Sequence, residues 1–214
     1  MDQGGQNNSG LKKLLTFSSI HEFFQGHVLG GLNGRDWLAR NVWKLRGGET
    51  VIDIGCGTGN VLIFLPADVK YYGIDISDNY IRTARARFST RGTFFHGTAP
   101  EFLCRNEALL NSTDVILCNG LLHHLTDAEA MEILTLAKQL LKSRGRLICL
   151  EAAFLAKQTR LSRWVVSSDR GRYVRSEREW NELIARAFAS FRTSILTGLT
   201  RIPYTHIVIE CVND

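Results

Sequence analysis

A short apolar strand pattern that ends in a glycine-rich turn constrains the fold of this chain more than any other feature. Residues 51–54 read as a buried β-strand, and Gly55, Gly57 and Gly59 follow at alternate positions before a new segment starts at Asn60. Glycine allows positive φ angles and the close approach of a ligand to the backbone. The N–H groups exposed where a helix then begins favour a ligand that carries a carboxylate or another anionic group.

Strand and helix patterns alternate along the rest of the chain. Short apolar runs predict strands at residues 51–54, 70–75, 93–96, 114–118 and 146–151. Helices are predicted at residues 60–65, 77–88, 101–110, 126–142 and 176–189. Two last strands, at residues 192–196 and 206–211, can pair as an antiparallel hairpin. The sequence therefore predicts an α/β fold that is three-layered, doubly wound and Rossmann-like, with a mostly parallel seven-stranded sheet and a C-terminal antiparallel hairpin.

The domain organisation follows from length and local composition. A chain of 214 residues suits a single domain. Residues 1–10 are rich in Gln, Asn and Gly and lack the pattern of a secretory signal, so we expect a flexible tail. Apolar residues near helical spacing predict a helical lid over residues 11–46, or alternatively a helix packed on the sheet by its aromatic stripe. Residues 47–214 are expected to form the ligand-binding domain.

Composition and charge narrow the functional classes. No uninterrupted apolar stretch approaches ~18 residues, so we expect no spanning segment and no membrane partner. The five cysteines include no C-x-x-C pair, which disfavours a metal site and suits a reducing cytoplasm. The net charge of +5 is concentrated in residues 157–178, which hold seven basic and two acidic residues. This segment can attract an acidic ligand or nucleic acid, or it can be a solvated surface, and both interpretations stay open.

The glycine spacing and Asp53 distinguish this motif from a dinucleotide-binding motif. Asn60 replaces the last glycine of the G-x-G-x-x-G pattern, and Asp53 precedes the first glycine by two positions. A carboxylate at this position would repel a pyrophosphate and would suit a positively charged ligand. Asp75 ends the second predicted strand, where an acidic side chain accepts hydrogen bonds from ribose hydroxyls. Its alternative role is a negative charge at the start of a helix.

Four segments of the chain together resemble the class I S-adenosylmethionine-dependent methyltransferases. They are the glycine motif at residues 51–60, the acidic motif at 72–77, and the fourth- and fifth-strand segments at 114–127 and 140–151. The resemblance covers about residues 49–151. It implies S-adenosylmethionine as the cofactor, S-adenosylhomocysteine as the product, and a Rossmann-like fold.

The resemblance also implies roles for individual residues. The methionine part of the cofactor would contact the first motif, through Asp53, Gly55, Cys56, Gly57 and Gly59. The floor beside the sulfonium would be formed by Asn119 and Gly120.

The adenosine part would contact the ends of the second and third strands. Asp75 would bind the ribose hydroxyls, Ile76 would pack on the adenine, and Thr98 and Ala99 would lie at the adenine edge. Many relatives have an Asp where this chain has Thr98, so backbone groups can make that contact instead.

Candidate catalytic and substrate-binding residues are drawn from the remaining histidines, aromatic residues and arginines. His123 and His124 follow the fourth predicted strand, where acceptors commonly lie in the family, and either imidazole can serve as the base. Either can equally shape the turn by a hydrogen bond to the backbone, and we expect only one to face the cleft. Substrate contacts are predicted for Phe24, His27, Trp164, Arg172, Tyr173, Tyr204 and His206.

The combined interpretation is a cytoplasmic methyltransferase that acts on an oxygen or nitrogen atom of a small-molecule acceptor in a specialised biosynthetic pathway, as a monomer or homodimer. An RNA or tRNA methyltransferase is one alternative, although residues 119–122 lack the prolines of the enzymes that methylate base amino groups. A second alternative is a protein that binds S-adenosylmethionine without transferring its methyl group. A dehydrogenase is disfavoured by the glycine spacing and by Asp53.

Overall fold

The computed structural model describes residues 32–168 and 171–214. The predicted tail at residues 1–10 and most of the predicted lid at residues 11–46 therefore lie outside the described residues. The described part is built around one sheet with helices on both of its faces. Within these two ranges, no helix is long and apolar enough to cross a bilayer.

Seven strands follow one another across the sheet in the order β3-β2-β1-β4-β5-β8-β7, and the short β6 pairs with β5 beside this path. The strands are β1 Thr50–Ile54, β2 Lys70–Asp75, β3 Gly92–His96, β4 Thr113–Asn119, β5 Leu141–Phe154, β6 Arg175–Ser176, β7 Ser190–Thr197 and β8 Thr205–Val212. Strands β1 to β5 run parallel to one another, whereas β8 is antiparallel to β5 and to β7. The predicted parallel sheet with a C-terminal antiparallel hairpin is confirmed.

Helices connect the strands, and local capping signals start most of them. In the described ranges the α-helices are α1 Leu32–Leu38, α2 Asp78–Phe88, α3 Ala99–Arg105, α4 Asp127–Leu140, α5 Arg160–Ser167 and α6 Glu177–Ala185. The Ser77 hydroxyl accepts a backbone hydrogen bond at the start of α2. Thr126 with Glu129, and Ser176 with Glu179, form capping boxes for α4 and α6. These predicted helix starts are confirmed. At each of them a side-chain oxygen accepts a hydrogen bond from an N–H that has no partner inside the helix.

Some predicted helix bounds are wrong, for local reasons. The predicted helix at residues 60–65 is a 3-10 helix, Asn60–Phe64, because Leu65 precedes a proline and is extended. The predicted helix at residues 101–110 is divided at Asn106, whose side-chain amide donates to Phe102 O at 2.8 Å and whose backbone leaves the helical region. Helix α6 ends at Ala185, short of the predicted residue 189. Neither α5 nor β6 was predicted.

One face of the sheet, which we call the α4 face, carries the larger core cluster. Ile52 of β1 and Ile116 of β4 are fully buried there against Leu134 of α4. Trp180 of α6 and Phe102 of α3 close the same cluster. Because side chains alternate along a strand, residues at the intervening positions must face the other side.

The opposite face, which we call the α2 face, carries the second core cluster. Val51 of β1 and Leu117 of β4 are buried there, covered by Ile81 of α2. Leu38 of α1 and Trp43 of the following π-helix, Ala39–Trp43, are buried against the same cluster. The described part of the predicted lid thus packs on the sheet by an apolar stripe.

We expect the core to be sensitive to a single large-to-small change in α4. Leu134→Ala should lower the free energy of unfolding by about 2–5 kcal/mol, since the fully buried side chain would leave a cavity. The same change at the exposed Leu110 is the matched control and should cost less than about 0.5 kcal/mol. Urea unfolding followed by circular dichroism measures both, and equal losses would contradict this placement of the core.

Candidate active site

Three polar side chains come together at the carboxyl ends of adjacent strands. Asp53 lies in β1, in register with Gly73 of β2 and with Leu117 of β4. Side chains two positions apart share a face, so Asp53, Asp75 and Asn119 all lie on the α2 face. Ligands of open α/β sheets bind beyond the carboxyl ends of the strands, which makes this edge the candidate site.

Asp53 is a buried acid whose charge is costly in the protein alone. Its Oδ2 accepts a 2.7 Å hydrogen bond from the Tyr71 hydroxyl. Burial raises the pKa of Asp53 to about 7, the hydrogen bond from Tyr71 lowers it, and the nearby charge of Asp75 raises it again. A cation placed beside this carboxylate would favour its ionised form.

Asp75 is oriented by backbone groups on both of its carboxylate oxygens. Oδ2 accepts a hydrogen bond from Gly57 N at 2.9 Å, and Oδ1 accepts one from Ser77 N at 2.8 Å. The first bond ties the end of β2 to the glycine turn after β1. Both donors are neutral, so they orient the carboxylate without cancelling its charge.

The glycine turn is packed on one side and open on the other. Gly55 N and Cys56 N both donate to Ile74 O, at 2.8 and 3.0 Å. Gly59 has a φ of +72°, and a Cβ there would come within 3.0 Å of the Phe94 ring. Gly57 has a φ of +55°, and a Cβ there would meet no atom of the described residues within 4 Å. The backbone at Gly57 is therefore accessible to a ligand.

Asn119 ends β4 with a polar atom that has no partner in the described ranges. Its Oδ1 is buried, and no donor of the described residues lies within hydrogen-bond distance of it. A buried acceptor without a donor costs free energy, and native proteins rarely tolerate one outside a ligand site. The atom lies on the same face as the two acids and calls for a donor such as an ammonium group.

A buried carboxylate on the other face of the sheet holds the loop after β4. Glu151 of β5 accepts backbone hydrogen bonds from Leu121 and Leu122 through Oε1, at 3.1 and 2.9 Å. Its Oε2 accepts from His123 N at 3.2 Å and contacts His123 Nδ1 at 2.5 Å. Since the carboxylate is an acceptor, Nδ1 is the donor, and a neutral His123 ring carries its lone pair on Nε2.

Two glycines flank the ring of His123. A Cβ on Gly171 would overlap His123 Cδ2, and a Cβ on Gly120 would stop 3.8 Å from His123 Cε1. Tyr173 N donates to His123 O at 3.0 Å, so the segment after α5 lies directly on this histidine. His123 is buried and His124 is half-buried, with their ring centroids 4.2 Å apart.

Arg175 of β6 is a buried arginine that holds the same loop from the other end. Its Nη1 donates to Leu122 O and Tyr173 O, both at 3.0 Å, and its Nη2 donates to Leu125 O at 2.9 Å. Its Nε and Nη2 donate to Asp127 Oδ1 at 2.9 and 2.7 Å. All the guanidinium N–H groups are thereby used, so Arg175 is a structural part of the loop.

The predicted adenine-edge residues have local structural roles. Thr98 caps α3 in a capping box with Glu101, so its hydroxyl is engaged by the backbone. Ala99 is buried in the core of the α4 face. Ile76 is half-buried, and its carbonyl oxygen lies 3.2 Å from His96 Nε2. These residues lie at the ends of β2 and β3, where the family resemblance predicts the adenine.

The predicted substrate residues fall into separate groups. Trp164, Arg172 and Tyr173 are exposed on the segment that follows β5. Tyr204 and His206 are buried near the start of β8, with ring centroids 4.6 Å apart. Phe24 and His27 lie outside the described residues.

Sequence reasoning missed Tyr71, Glu151 and Arg175. Tyr71 has the pattern of an ordinary strand residue, and its partner Asp53 is 18 positions away. Glu151 was read only as the end of a strand, and its backbone partners are 28 to 30 positions away. Arg175 was counted with a basic surface. The sequence carries one signal, and it concerns Glu151. This acidic residue ends a predicted buried strand, where a charge needs a partner.

The fold and the site together define a class of protein. A sheet in the order found here, with an antiparallel last pair of strands, a glycine turn after β1 and an acid at the end of β2, is the architecture of the class I methyltransferases. Residues 52–147 match a family model described as a methyltransferase domain. This part of the chain is therefore similar to that family of domains.

Curated relatives that match about half of the chain are methyltransferases by name. An uncharacterized methyltransferase of Geobacillus kaustophilus is 32% identical over 114 residues, which are 53% of this chain and 51% of the relative. A probable cobalt-precorrin-6B C(15)-methyltransferase of Methanothermobacter thermautotrophicus is 32% identical over 106 residues, or 47% of this chain and 50% of the relative. The chain therefore spans about half the length of the curated relatives it matches.

Solved structures share the fold. The phosphoethanolamine N-methyltransferase 2 of Haemonchus contortus covers 100% of this chain with 61% of its own, at a TM-score of 0.72 and 15% identity. The mitomycin 7-O-methyltransferase covers 85% of this chain with 53% of its own, at a TM-score of 0.64 and 20% identity. These identities establish similarity of fold alone.

Asp53 should give the protein alone a pH-dependent loss of stability. Its folded pKa of about 7 exceeds the ordinary 3.8, so the folded state binds the proton more tightly than the unfolded state does. The free energy of unfolding should therefore fall as the pH rises from about 4 to about 7 and stay reduced above that. Asp53→Asn should remove this dependence and raise stability at pH ~8 by an amount on the order of a few kcal/mol.

Tyr71→Phe provides a second variant with a different expected shift. Loss of the hydroxyl removes a hydrogen bond that lowers the pKa of Asp53, so the decline in stability should extend to higher pH. Urea unfolding across this pH range measures all three proteins. Parallel curves for the wild type and Asp53→Asn would contradict the raised pKa.

Proposed function

We propose that the chain binds S-adenosylmethionine at the candidate site and transfers its methyl group to an oxygen or nitrogen atom of a small-molecule acceptor. The observation that carries this proposal is the buried Oδ1 of Asn119, an acceptor with no donor among residues 32–168 and 171–214, on the same face as Asp53 and Asp75. The α-ammonium of the cofactor supplies such a donor, and it also supplies a cation for the buried carboxylate of Asp53.

The residues at the edge of the sheet fit the cofactor part by part. Gly57 leaves room beside the turn for the methionine part, its own N–H being bonded to Asp75, while Asp53 and Asn119 suit the ammonium. Asp75 suits the ribose hydroxyls, as an oriented carboxylate accepts hydrogen bonds from them. When bound, the cofactor supplies an activated methyl group on a positively charged sulfur.

The protein's own contribution to transfer is alignment and exclusion of water, since the methyl donor is intrinsically reactive. Glu151 and Arg175 fix the loop after β4 from two sides, so the position of His123 and Gly120 beside the end of β4 is rigidly set. Thr98 is engaged in a helix cap, which leaves backbone groups to receive the adenine amino group.

His123 is proposed as the base that accepts a proton from the acceptor. The carboxylate of Glu151 fixes the ring orientation and the tautomer, as the buried acid does in carboxylate–imidazole pairs of other enzymes. His123 Cε1 faces Gly120, so the neighbouring Nε2 lies near the proposed floor of the methyl site. His124, half-buried beside it, is the alternative base and is tested separately below.

A small-molecule acceptor is supported by the named functions of structural relatives. The Haemonchus structure contains phosphomonomethylethanolamine and S-adenosylhomocysteine, and the mitomycin enzyme is named as an O-methyltransferase. The proposed acceptor contacts remain Phe24, His27, Trp164, Arg172, Tyr173, Tyr204 and His206. A monomer or homodimer in a reducing cytoplasm remains the predicted setting, which suits five free cysteines.

The proposal is tested by titrating the protein with S-adenosylhomocysteine and with NADH by calorimetry, followed by a screen of small-molecule and tRNA acceptors with methyl-labelled S-adenosylmethionine. We expect heat with the first ligand only, and label in a small molecule. Label in tRNA would favour the nucleic-acid alternative. Tight binding without any labelled product would favour a protein that binds the cofactor without transfer.

Asp75→Ala should weaken S-adenosylhomocysteine binding by about 1–3 kcal/mol, because charge-assisted hydrogen bonds to the ribose would be lost. Asp78→Ala, an exposed acid on α2, is the matched control and should change the affinity by less than about twofold. Isothermal titration measures both. Unchanged affinity of the Asp75 variant would contradict the ribose assignment.

The base assignment predicts different results for two neighbouring histidines. With an acceptor found in the screen, His123→Ala should lower kcat about 10²-fold while the affinity for S-adenosylhomocysteine stays the same. Glu151→Gln should also lower kcat, because the ring loses the charged partner that fixes its orientation. His124→Ala is the control, and a larger loss of kcat there would transfer the role to His124.

A further inference from the structure

An apolar surface lies on the helix that follows β5. Helix α5 buries Ser162 and Val166 but leaves two large apolar side chains in solvent. Trp164 is 66% exposed and Leu161 is 57% exposed. Single exposed apolar residues are normal, whereas large ones three positions apart on one helix form a contiguous patch of the kind that marks a binding surface.

Basic residues border this patch, and acidic ones are absent from its sequence. Arg160 and Arg163 lie on the same helix and are exposed. Arg163 donates to Leu155 O at 3.1 Å and lies over the Phe154 ring, 5.3 Å from its centroid, so its charge is held at this surface. Residues 152–168 contain three basic residues and no acidic residue.

The turn between β7 and β8 carries a second pair of exposed basic and apolar residues close to α5 in the chain's packing. Gln158 Nε2 donates to Thr205 Oγ1 at 2.8 Å, and Ser162 Oγ lies 3.0 Å from the same atom, so α5 rests on the start of β8. Arg201 and Ile202 are exposed a few residues before Thr205. Residues 183–209 contain no acidic residue. We call the combined surface the basic-apolar face, and it consists of Arg160, Leu161, Arg163, Trp164, Arg201 and Ile202.

The structure also shows which charges of the basic segment 157–178 are available to a partner. Arg175 is buried and fully engaged with the loop after β4. Arg178 is paired with Glu182 at 2.7 Å. Lys157, Arg160 and Arg163 are exposed in or just before α5, and Arg172 is exposed after it. The charges of α5 therefore lie beside apolar residues, which gives this part of the segment a mixed rather than a purely basic character.

We propose that the basic-apolar face docks the protein on an anionic lipid surface. Arginines attract acidic headgroups, and a Trp with aliphatic neighbours enters the boundary between headgroups and acyl chains. A nucleic acid would use the arginines and could stack on Trp164, but it offers no apolar environment for Leu161 and Ile202. This surface would lie on the bilayer, so it needs no spanning helix.

Docking in this way would bring the candidate site close to the bilayer. Helix α5 packs through Val166 on Ala152 of β5 and Tyr204, and the chain after it returns to His123 through the backbone of Tyr173. An acceptor dissolved in or attached to the lipid would then have a short path to the site. The docking itself does not depend on the proposed function, because it involves none of the cofactor-binding residues.

Flotation with vesicles tests the proposal directly. The full chain, without cofactor, is mixed with vesicles of phosphatidylcholine containing about one-third phosphatidylserine, or with phosphatidylcholine alone. We expect binding to the anionic vesicles that weakens as salt is raised, and little binding to the neutral ones. The fluorescence of the bound protein should shift to the blue, and Trp164→Phe should abolish this shift.

Matched variants distinguish binding by this surface from non-specific binding. Leu161→Ser with Trp164→Ser should weaken vesicle binding at least about tenfold, as should Arg160→Gln with Arg163→Gln. Trp37→Ser with Ile63→Ser is the control, because these side chains are 42% and 49% exposed at a different place. The control should bind as the wild type does, and thermal melting checks that every variant is folded.

Several results would overturn the proposal. One is that the protein does not bind anionic vesicles at low salt, and another is that the Trp37 and Ile63 control loses as much binding as the α5 variant. Binding to a random RNA oligonucleotide that the Arg160 and Arg163 variant loses, without vesicle binding, would assign the face to nucleic acid. Asp75→Ala should float like the wild type, so failure of the cofactor assignment and failure of docking are distinguishable.

Discussion

The buried carboxylate of Glu151 is the interaction on which the site depends. It joins β5 to the loop after β4 through three backbone N–H groups and the imidazole of His123. A buried charge is tolerated only when hydrogen bonds replace its lost hydration. The loop therefore has one arrangement that satisfies Glu151, and Arg175 satisfies the carbonyl groups of the same loop. The position of both histidines follows from this pair of buried charges.

The two faces of the sheet contribute different parts of the site. Acidic and amide side chains on the α2 face provide a place for a cationic ligand, while the α4 face holds the loop that carries the histidines. Asp53 is placed where burial raises its pKa, so the protein alone bears a cost that a bound cation would relieve. Buried acids of this kind are found at functional sites because stability alone would select against them.

Much of the fold could be predicted because its signals are local. Alternating strand and helix patterns, the caps at Ser77, Thr126 and Ser176, and the final hairpin were all readable from nearby residues. The bounds near residues 65 and 106 were not, because a following proline and an asparagine side chain compete with helix formation over one or two residues. Helix α5 carries an amphipathic pattern, but its exposed Trp164 gave it the character of a substrate-binding loop.

The sheet, the glycine turn and the importance of Asp53 and Asp75 can be predicted from the amino-acid sequence alone, since each depends on side-chain type and short spacing. Four features can be seen only in the folded structure. Tyr71 bonds to Asp53, and Glu151 holds His123. Arg175 is buried, and Asn119 Oδ1 has no donor among the described residues. The physical reason is distance along the chain. These partners lie 18 to 53 positions apart, and strand register and packing bring them together.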